Sequence, residues 1–271
     1  MQIADRVAVV TGGAGGIGRS LVRMLGEQRV KAVAVVDMAE AVEPSVEEIN
    51  RDLGRTFAFA YRGDVTSAEF RHGVFTEMKE RFGPVSICVP GAGIVRDGIA
   101  VKVDKATGVA KLYDQSLFEK TVQINLIAPV YWAIEAIASV AEDRFRRGLG
   151  QWQPDEGVQG AVVFIGSISS AGNKGQVSYA STKAGLAGAQ STLAKEAIFY
   201  GMRTAIVHPG FTDTPMVRAM DQAIIEKYVL PNTQLRRLLK PEEIADAICF
   251  LIRNSAVSGA LWADAGWHPT A

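Results

Sequence analysis

The sequence predicts one α/β domain built on a doubly wound parallel sheet of about seven strands, with helices on both faces. Three observations predict it. Short β-branched runs alternate with longer helical patterns along the chain. Those runs are apolar throughout instead of alternating, as in strands that are buried on both faces. The 271 residues, 48% of them hydrophobic and 21% charged, supply enough apolar material for one large core.

Each apolar run is predicted to be a strand because Val, Ile, Phe and Tyr dominate it and turn residues bound it. The predicted strands cover residues 6–11, 32–37, 57–62, 85–89, 161–166, 204–210 and 260–264. The helices between them are predicted near residues 17–28, 42–53, 67–82, 116–140, 179–200 and from 241 onward. This order of elements is that of a Rossmann-type fold.

Three of the predicted helices carry a start signal. Thr66 and Glu69 fit a capping box before the third helix, and Ser116 and Glu119 fit a second one before the fourth. Pro241 stands where the first turn of the last helix is predicted. These signals set the expected N-terminal ends of the three helices.

One domain is predicted to span residues 1–271, because no linker or low-complexity segment divides the chain. Two polar, glycine-containing stretches interrupt the rhythm of strands and helices, near residues 95–115 and 142–160. We expect both to be irregular insertions that serve function or assembly, because long loops without structure are uncommon in compact domains.

Composition and charge exclude several classes of function. The 29 basic and 29 acidic residues balance, so no basic surplus indicates nucleic acid as a partner. The apolar runs are short and are broken by Gly, Asp or Arg, so no membrane-spanning segment is predicted. No charged-then-apolar leader opens the sequence, and we expect a cytoplasmic protein.

The cysteines and histidines predict no metal centre. Cys88 and Cys249 both lie within apolar runs, where buried thiols that pack as small hydrophobes are expected. His72, His208 and His268 are scattered and lack the spacing of metal ligands. We therefore predict that the protein binds no metal.

The first strand is followed by a glycine-rich turn, TGGAGGIG, at residues 11–18. Glycines there let the backbone turn tightly and approach a pyrophosphate, and the next helix offers free N–H groups at its positive end. Asp37 ends the second strand about 20 residues later, where a carboxylate reaches the ribose hydroxyls of adenosine. A carboxylate repels a 2′-phosphate, and Met38, Ala39 and Glu40 offer no arginine to bind one. The pattern therefore favours NAD over NADP.

Further motifs follow in order along the chain. They are GDV at residues 63–65, INL around Asn125, a serine after the fifth strand, SYASTK with Tyr179 and Lys183, and HPGFTDTPM after the sixth strand. Together with the glycine turn, this set resembles the short-chain dehydrogenase/reductase family over nearly the whole chain. The resemblance implies an oxidoreductase that transfers a hydride between NAD and a secondary alcohol or its ketone.

The resemblance also implies four catalytic residues. Tyr179 would be the general acid/base, although its ordinary pKa of about 10 is too high for a base near neutrality. Lys183, one helical turn away, would favour the phenolate and hold the nicotinamide ribose. Ser167 would hydrogen-bond the substrate oxygen, and Asn125 would hold a water that completes a proton relay.

The same resemblance implies the contacts to the cofactor. The implied cofactor-binding residues are Gly12, Gly15, Gly16, Ile17, Gly18, Asp37, Asp64, Val65, Gly91, Gly93, Tyr179, Lys183, Pro209, Gly210, Thr212 and Thr214. Asp64 and Val65 would lie on either side of the adenine ring. Thr212 and Thr214 would bind the nicotinamide carboxamide and a phosphate.

Two places leave a choice or depart from the family. The stretch GSISS offers Ser167, Ser169 and Ser170, and Ser167 follows the strand directly, as the family's serine does. Residues 90–93 read Pro-Gly-Ala-Gly where the family has Asn-Asn-Ala-Gly, so a hydrogen bond at the centre of the sheet is lost or replaced. This departure keeps open an alternative function, that of a weak or inactive NAD-binding partner subunit or regulator.

The family places a substrate lid near residues 211–235, a segment rich here in Met, Ile, Val and Tyr. An apolar lid predicts an apolar or bulky substrate. The insertions resemble those of type-2 short-chain 3-hydroxyacyl-CoA dehydrogenases, so a 3-hydroxyacyl thioester and a cyclic, aromatic or steroid-like alcohol are both candidates. An epimerase or dehydratase on a related fold is the enzyme alternative, which the compact lid argues against. Small residues after Tyr179 imply close helix contacts and a homo-oligomer, a dimer of dimers.

Overall fold

The computed structural model describes residues 1–267, so His268 lies outside the described residues. Nine strands are described: β1 (Val7–Thr11), β2 (Ala32–Asp37), β3 (Ala58–Arg62), β4 (Val85–Pro90), β5 (Val101–Val103), β6 (Ala110–Leu112), β7 (Gly160–Ile165), β8 (Met202–Pro209) and β9 (Gly259–Ala263). Seven of them form one parallel sheet in the order β3-β2-β1-β4-β7-β8-β9. The doubly wound parallel sheet is thereby confirmed.

The helices cover both faces of this sheet. They are α1 (Gly16–Glu27), α2 (Val42–Asp52), α3 (Ala68–Phe82), α4 (Gln115–Val122), α5 (Ala128–Arg146), α6 (Val177–Ala197), α7 (Pro215–Arg218), α8 (Gln222–Ile224) and α9 (Pro241–Arg253). A π-helical turn, Gln123–Ile127, joins α4 to α5. A 3₁₀ turn, Ile198–Tyr200, follows α6.

Two separate hydrophobic cores lie on the two faces. Successive side chains of β1 point to opposite sides, so Ala8 and Val10 enter one core and Val7 and Val9 the other. The first core includes Leu21 and Leu25 of α1, Ile49 of α2 and Ile248 of α9, and the second includes Met78 of α3, Trp132 of α5 and Leu186 of α6. Each such fully buried large side chain contributes about 1.5–3 kcal/mol, so the two cores fix the sheet that carries the site.

The chain order of the strands creates a switch point between β1 and β4. From β1 the chain runs outward through β2 to β3, and then crosses back to β4 before continuing to β7, β8 and β9. The connections after β1 and after β4 therefore leave in opposite directions. A crevice opens at the carboxyl ends of the strands at such a point, and it is where ligands bind in open α/β sheets.

The N-caps predicted for two helices were wrong, by one residue for α3 and by two residues for α4. Ser67 is the N-cap of α3 and accepts a hydrogen bond from Phe70 N, while Thr66 bonds the side chain of Asp64. The helix α4 is capped by Asp114, whose side chain accepts from Ser116 N. In both places an aspartate two residues upstream bonds the Thr or Ser that was predicted to be the cap. Pro241 does open α9, as predicted.

The insertion near residues 95–115 was predicted to be irregular, and this prediction is wrong. It contains β5 and β6, which pair antiparallel in a two-stranded sheet of their own. Asp104 and Gly108, with φ +73° at Gly108, form the turn between them. The predicted helix 116–140 also extends further, to Arg146, so the second insertion contributes its first residues to α5.

The helical stretch Gln115–Arg146 is long and apolar enough to cross a membrane by length and composition alone. Part of it is buried against the sheet, where Trp132, Ala133 and Ala136 are inaccessible to solvent and α5 packs on β4. A core helix has this same composition, so the stretch is weak evidence for a membrane span.

Candidate active site

A cleft of about 480 Å³ opens at the carboxyl ends of the strands. Its walls include most of the residues singled out in the sequence, namely Gly12, Gly15, Gly16, Ile17, Gly18, Asp37, Asp64, Val65, Gly91, Gly93, Ser167, Tyr179, Lys183, Pro209, Gly210, Thr212 and Thr214. Asn125 is the one predicted site residue that does not line it. The fold thus brings together segments at the carboxyl ends of six strands, β1, β2, β3, β4, β7 and β8.

The glycine turn between β1 and α1 leaves room only for backbone. Gly12 has φ +72°, and a Cβ there would lie 2.9 Å from Ala92 N. A Cβ on Gly18 would lie 2.1 Å from Gly12 O, whereas Gly15 faces open space. No side chain caps the N-terminus of α1, and its first turn carries no acidic residue. The free N–H groups and the positive end of the helix dipole therefore suit an anion such as a pyrophosphate.

The carboxylate of Asp37 is held in a fixed orientation at the end of β2. One oxygen accepts a hydrogen bond from Ala14 N at 3.1 Å, and the other accepts from Ala39 N at 3.0 Å. Lys183 is the sole lysine or arginine among the described residues that line the cleft. The carboxylate of Asp37 therefore makes this end of the cleft negative.

Tyr179, Lys183 and Ser167 meet at the other end of the cleft. Tyr179 and Lys183 lie one turn apart on α6, and the Lys183 Nζ is 5.6 Å from the centre of the Tyr179 ring. Ser167 follows β7 directly, and its hydroxyl lies close enough to Tyr179 to lower the pKa of that phenol. Lys183 Nζ donates to Ile165 O at 2.7 Å. A hydroxyl, a phenol and an ammonium group therefore share one small volume.

Burial moves the pKa values of the two titratable groups in opposite directions. It raises the pKa of Tyr179 to about 12, a shift that the hydrogen bond from Ser167 opposes and that the charge of Asp97 increases. It lowers the pKa of Lys183 to about 8. At neutral pH the phenol therefore keeps its proton. An added positive charge nearby is needed before it can lose that proton and act as a base.

The other two serines of GSISS are engaged elsewhere. Ser169 Oγ donates to Gln176 Oε1 at 2.8 Å, and Ser170 Oγ donates to Ser167 O at 2.6 Å. Ser167 Oγ accepts from Ser169 N at 3.1 Å and caps a 3₁₀ turn, Ile168–Ala171. Of the three hydroxyls, that of Ser167 is the one that affects the pKa of Tyr179.

Asn125 lies buried in the π-helical turn between α4 and α5. Its Oδ1 accepts from Ile94 N at 2.8 Å, and its Nδ2 donates to Ile94 O at 2.7 Å. The amide is thus committed to the backbone that follows β4. Through this pair of bonds Asn125 fixes one wall of the cleft, since Ile94 lines it.

The Pro-Gly-Ala-Gly sequence after β4 shapes the centre of the sheet. Gly91 N bonds to Thr11 O on β1 at 3.1 Å, so the missing N–H of Pro90 is on the side of β7. The ladder between β4 and β7 accordingly stops at Cys88, and the strands part towards the cleft. Thr11 Oγ1 accepts from Ala92 N at 3.0 Å, which ties this segment to β1 without the usual asparagines.

Three residues of the site were not identified from the sequence. Asp97 and Gln176 line the cleft and bond to each other, with Gln176 Nε2 2.9 Å from Asp97 Oδ2. The pKa of Asp97 is raised by burial. His208 lies beneath Ser167, with its Nδ1 3.1 Å from Ser167 O, and stacks on Trp262 at 4.2 Å. No local pattern in the sequence around these three residues signals a place in the site.

The segment after β8 closes one side of the cleft. Thr212 Oγ1 donates to Gly210 O at 3.0 Å, and Thr214 caps α7 by accepting from Val217 N. Apolar side chains from the following residues line the cleft, namely Met216, Val217 and Met220. This wall is therefore apolar, in contrast to the end of the cleft at Asp37, which is charged.

Comparison with known proteins identifies the family of the chain. The model of the short chain dehydrogenase family matches residues 6–224. The chain is 34% identical to the acetoacetyl-CoA reductase of Synechocystis sp., over 100% of this chain and 99% of the other. It is 32% identical to the cis-4-hydroxycyclohexanecarboxylate dehydrogenase of Sinomonas cyclohexanicum, over 98% and 97%. It is 28% identical to the 3-oxoacyl-[acyl-carrier-protein] reductase of Mus musculus, over 94% of each. The chain belongs to the short-chain dehydrogenase/reductase family of oxidoreductases.

Proposed function

We propose that this protein is an NAD-dependent oxidoreductase that interconverts a secondary alcohol and its ketone. The observation that carries the proposal is the meeting of Tyr179, Ser167 and Lys183 in the cleft whose other end holds the glycine turn and Asp37. A phenol with a bound proton beside a second hydroxyl is suited to a reacting carbonyl oxygen. The same cleft is shaped for a dinucleotide.

The nicotinamide dinucleotide would supply the hydride. The pyrophosphate would rest on the glycine turn, where Gly15 leaves open space at the uncapped start of α1. Asp37 favours NAD, because its fixed carboxylate accepts from two ribose hydroxyls and repels a 2′-phosphate. Asp64, Val65, Thr212 and Thr214 line the cleft at positions open to the rest of the cofactor.

In the proposed reaction each side chain has one task. Ser167 holds the substrate oxygen, and Tyr179 gives it a proton during reduction or takes one during oxidation. Lys183 holds the nicotinamide ribose, and its charge assists the phenolate. Asn125 acts through Ile94, whose backbone it fixes, so a water in the relay would be bound by the main chain of the π-helical turn and not by the Asn125 amide.

The substrate is proposed to be an apolar or bulky hydroxy or keto compound. The wall formed by Met216, Val217 and Met220 supports this, because an apolar lining favours apolar ligands. The names of the relatives point to two chemistries, an acyl thioester and a cyclic alcohol. Both present a secondary alcohol or ketone to the same three side chains.

We also propose a homo-oligomer in which α5 and the end of the π-helical turn before it form a subunit contact. Ile127, Tyr131 and Ile134 recur at helical spacing and are 36%, 50% and 41% exposed. A row of apolar side chains along one helix, left uncovered, suits a two-fold contact with a second copy. Two such dimers would form the tetramer.

Replacement of Tyr179 by Phe tests the proposed function. The variant keeps the ring but loses the hydroxyl, so we expect it to bind NADH normally and to lose at least about two orders of magnitude in kcat. Binding is followed by NADH fluorescence, and turnover by absorbance with acyl thioesters and cyclic, aromatic and steroid alcohols. Ser181→Ala, an exposed position on the same helix, is the control. Turnover by the Phe variant at the native rate contradicts the mechanism, and NAD binding without turnover of any substrate supports the regulator.

A further inference from the structure

The hairpin of β5 and β6 projects from the protein next to the cleft. Val101 pairs with Leu112, Lys102 with Lys111 and Val103 with Ala110. All residues from 101 to 112 are exposed. One face of the hairpin is therefore apolar, the other carries two lysines directly opposite each other, and neither face is covered by the rest of this chain.

The lysines of the hairpin lack anionic partners. Like charges directly opposite in a strand pair are destabilising. Neither Lys102 nor Lys111 forms an ion pair within the described part of the chain, and the same holds for Lys105 in the turn. Asp104, the one acidic residue of the hairpin, accepts from Ala106 N, Thr107 N and Thr107 Oγ1 in the turn. Three lysines against one aspartate give residues 101–112 a net charge of +2 in a chain whose net charge is zero.

The base of the hairpin is fastened to the substrate side of the cleft. Gly98 N donates to Gly175 O at 2.8 Å, and the Tyr113 hydroxyl lies 3.0 Å from Ser178 Oγ. The exposed Lys174 stands beside Gly175 and adds a fourth positive charge near the rim. Asp37 lies at the end of β2, two strands away from β4, which precedes the hairpin. The positive charge is thus near the reacting end of the cleft and away from the adenosine end.

We propose that Lys102, Lys105 and Lys111 bind the phosphate groups of a coenzyme A thioester, whose acyl carbonyl lies beside Tyr179. The proposal deepens the proposed function and rests on it. It favours the thioester among the candidate substrates, because a cyclic alcohol without phosphate has no use for this charge. Five residues separate Asp97 in the cleft from Lys102, which spans at most about 17 Å of extended chain. The pantetheine arm of coenzyme A would then join the phosphates at the hairpin to the acyl carbonyl in the cleft.

The test compares three acetoacetyl thioesters that differ in phosphate content. They are the coenzyme A ester, the phosphopantetheine ester with one phosphate, and the N-acetylcysteamine ester with none. In the double variant Lys102→Gln/Lys111→Gln we expect kcat/KM for the coenzyme A ester to fall about tenfold, as for two exposed charge pairs. We expect a smaller fall for the phosphopantetheine ester and no change for the uncharged ester. Raising salt should remove the difference between native protein and variant, because exposed charges are screened.

The matched control is Arg51→Gln/Lys195→Gln, which removes two exposed positive charges elsewhere and should leave all three esters unchanged. Calorimetric binding of free coenzyme A to the NADH-loaded protein gives a second readout, which the lysine variant should weaken by a similar factor. Equal losses with all three esters, or none with the coenzyme A ester, overturn the proposal.

Two further outcomes separate this proposal from the proposed function. Turnover of a cyclic alcohol with no turnover of any thioester overturns the lysine site and leaves the oxidoreductase intact. No turnover of any substrate removes the oxidoreductase, and the calorimetric comparison then decides the lysine site alone: absent or unchanged binding of coenzyme A overturns it.

Discussion

Tyr179 and Lys183 obtain their chemistry from burial more than from each other. Their pKa values, about 12 and about 8, are moved away from the ordinary values by desolvation in both residues. The phenol is therefore protonated at neutral pH, so it has a proton to give in the proposed reduction of a ketone. The reverse reaction needs extra positive charge beside the phenol, as an oxidised nicotinamide would provide. Ser167 lies beside the phenol, and His208 in turn contacts the backbone of Ser167.

Asp37 gives a residue-scale prediction on the choice of cofactor. In Asp37→Asn the charge is lost while the size is kept, so we expect Kd for NADH to rise about tenfold and that for NADPH to fall. Fluorescence titration with both cofactors measures this preference. Asp155→Asn is the control, because Asp155 is exposed and does not line the cleft, and both Kd values should stay unchanged. Tighter binding of NADPH than NADH by the native protein would show that Asp37 was misinterpreted.

At the scale of elements, the glycine turn and the core strands were predictable, whereas the hairpin and the π-helical turn were not. Residues 32–37 read as a strand because every position is apolar up to Asp37, and the boundaries proved right. Val101 and Leu112 gave no such signal, since both faces of the hairpin are exposed and no core enforces a pattern. In the π-helical turn, Asn125 accepts a hydrogen bond from Ile94 N, a contact between distant segments that spacing along the chain does not show.

The exposed row on α5 gives a prediction at this same scale. In Ile127→Glu/Ile134→Glu, two charges would enter a contact between subunits, so we expect the assembly to dissociate into smaller species. Sedimentation velocity measures the change. Leu112→Glu is the control, because Leu112 is 69% exposed and lies on the hairpin away from α5. A monomeric native protein, or a double variant of unchanged size, contradicts the proposed contact.

For the molecule as a whole, the fold and most of the cleft lining could be predicted from the sequence. Buried strands require apolar residues and close backbone contacts require glycines, and both requirements are visible in a sequence. Gly12 and Gly18 are required by close backbone contacts, and a glycine requirement is visible in a sequence. Asp97, Gln176 and His208 reach the site through irregular segments or from beneath, and no local pattern reveals such contacts. The replacement of the family's asparagines by Thr11 bonding Ala92 likewise became visible only in three dimensions.

Burial of Lys183 also affects the stability of the whole molecule. Its pKa is about 8 when folded, below the ordinary 10.5, so the folded state carries the full cost of the buried charge below pH 8. Between these two values the unfolded chain binds more protons, and stability rises with pH. Relative to Lys183→Met, we expect the free energy of unfolding of the native protein to increase between pH 7 and 10, by on the order of 3 kcal/mol.

Urea unfolding at several pH values measures this difference. Lys195→Met, at an exposed position of the same helix, should show a difference from the native protein that does not vary with pH. A constant difference for Lys183→Met would mean that the lysine is not charged at a cost in the folded state.

The hairpin of β5 and β6 has a consequence for protein engineering. It shares no strand pairing with the seven-stranded sheet, and its hydrogen bonds to the rest of the chain are made at its base, through Gly98 and Tyr113. It can therefore be exchanged as a cassette, shortened or rewritten without disturbing either core. Hairpins of different length and charge grafted at this position offer a way to alter the proposed choice of substrate carrier while the cleft is left as it is.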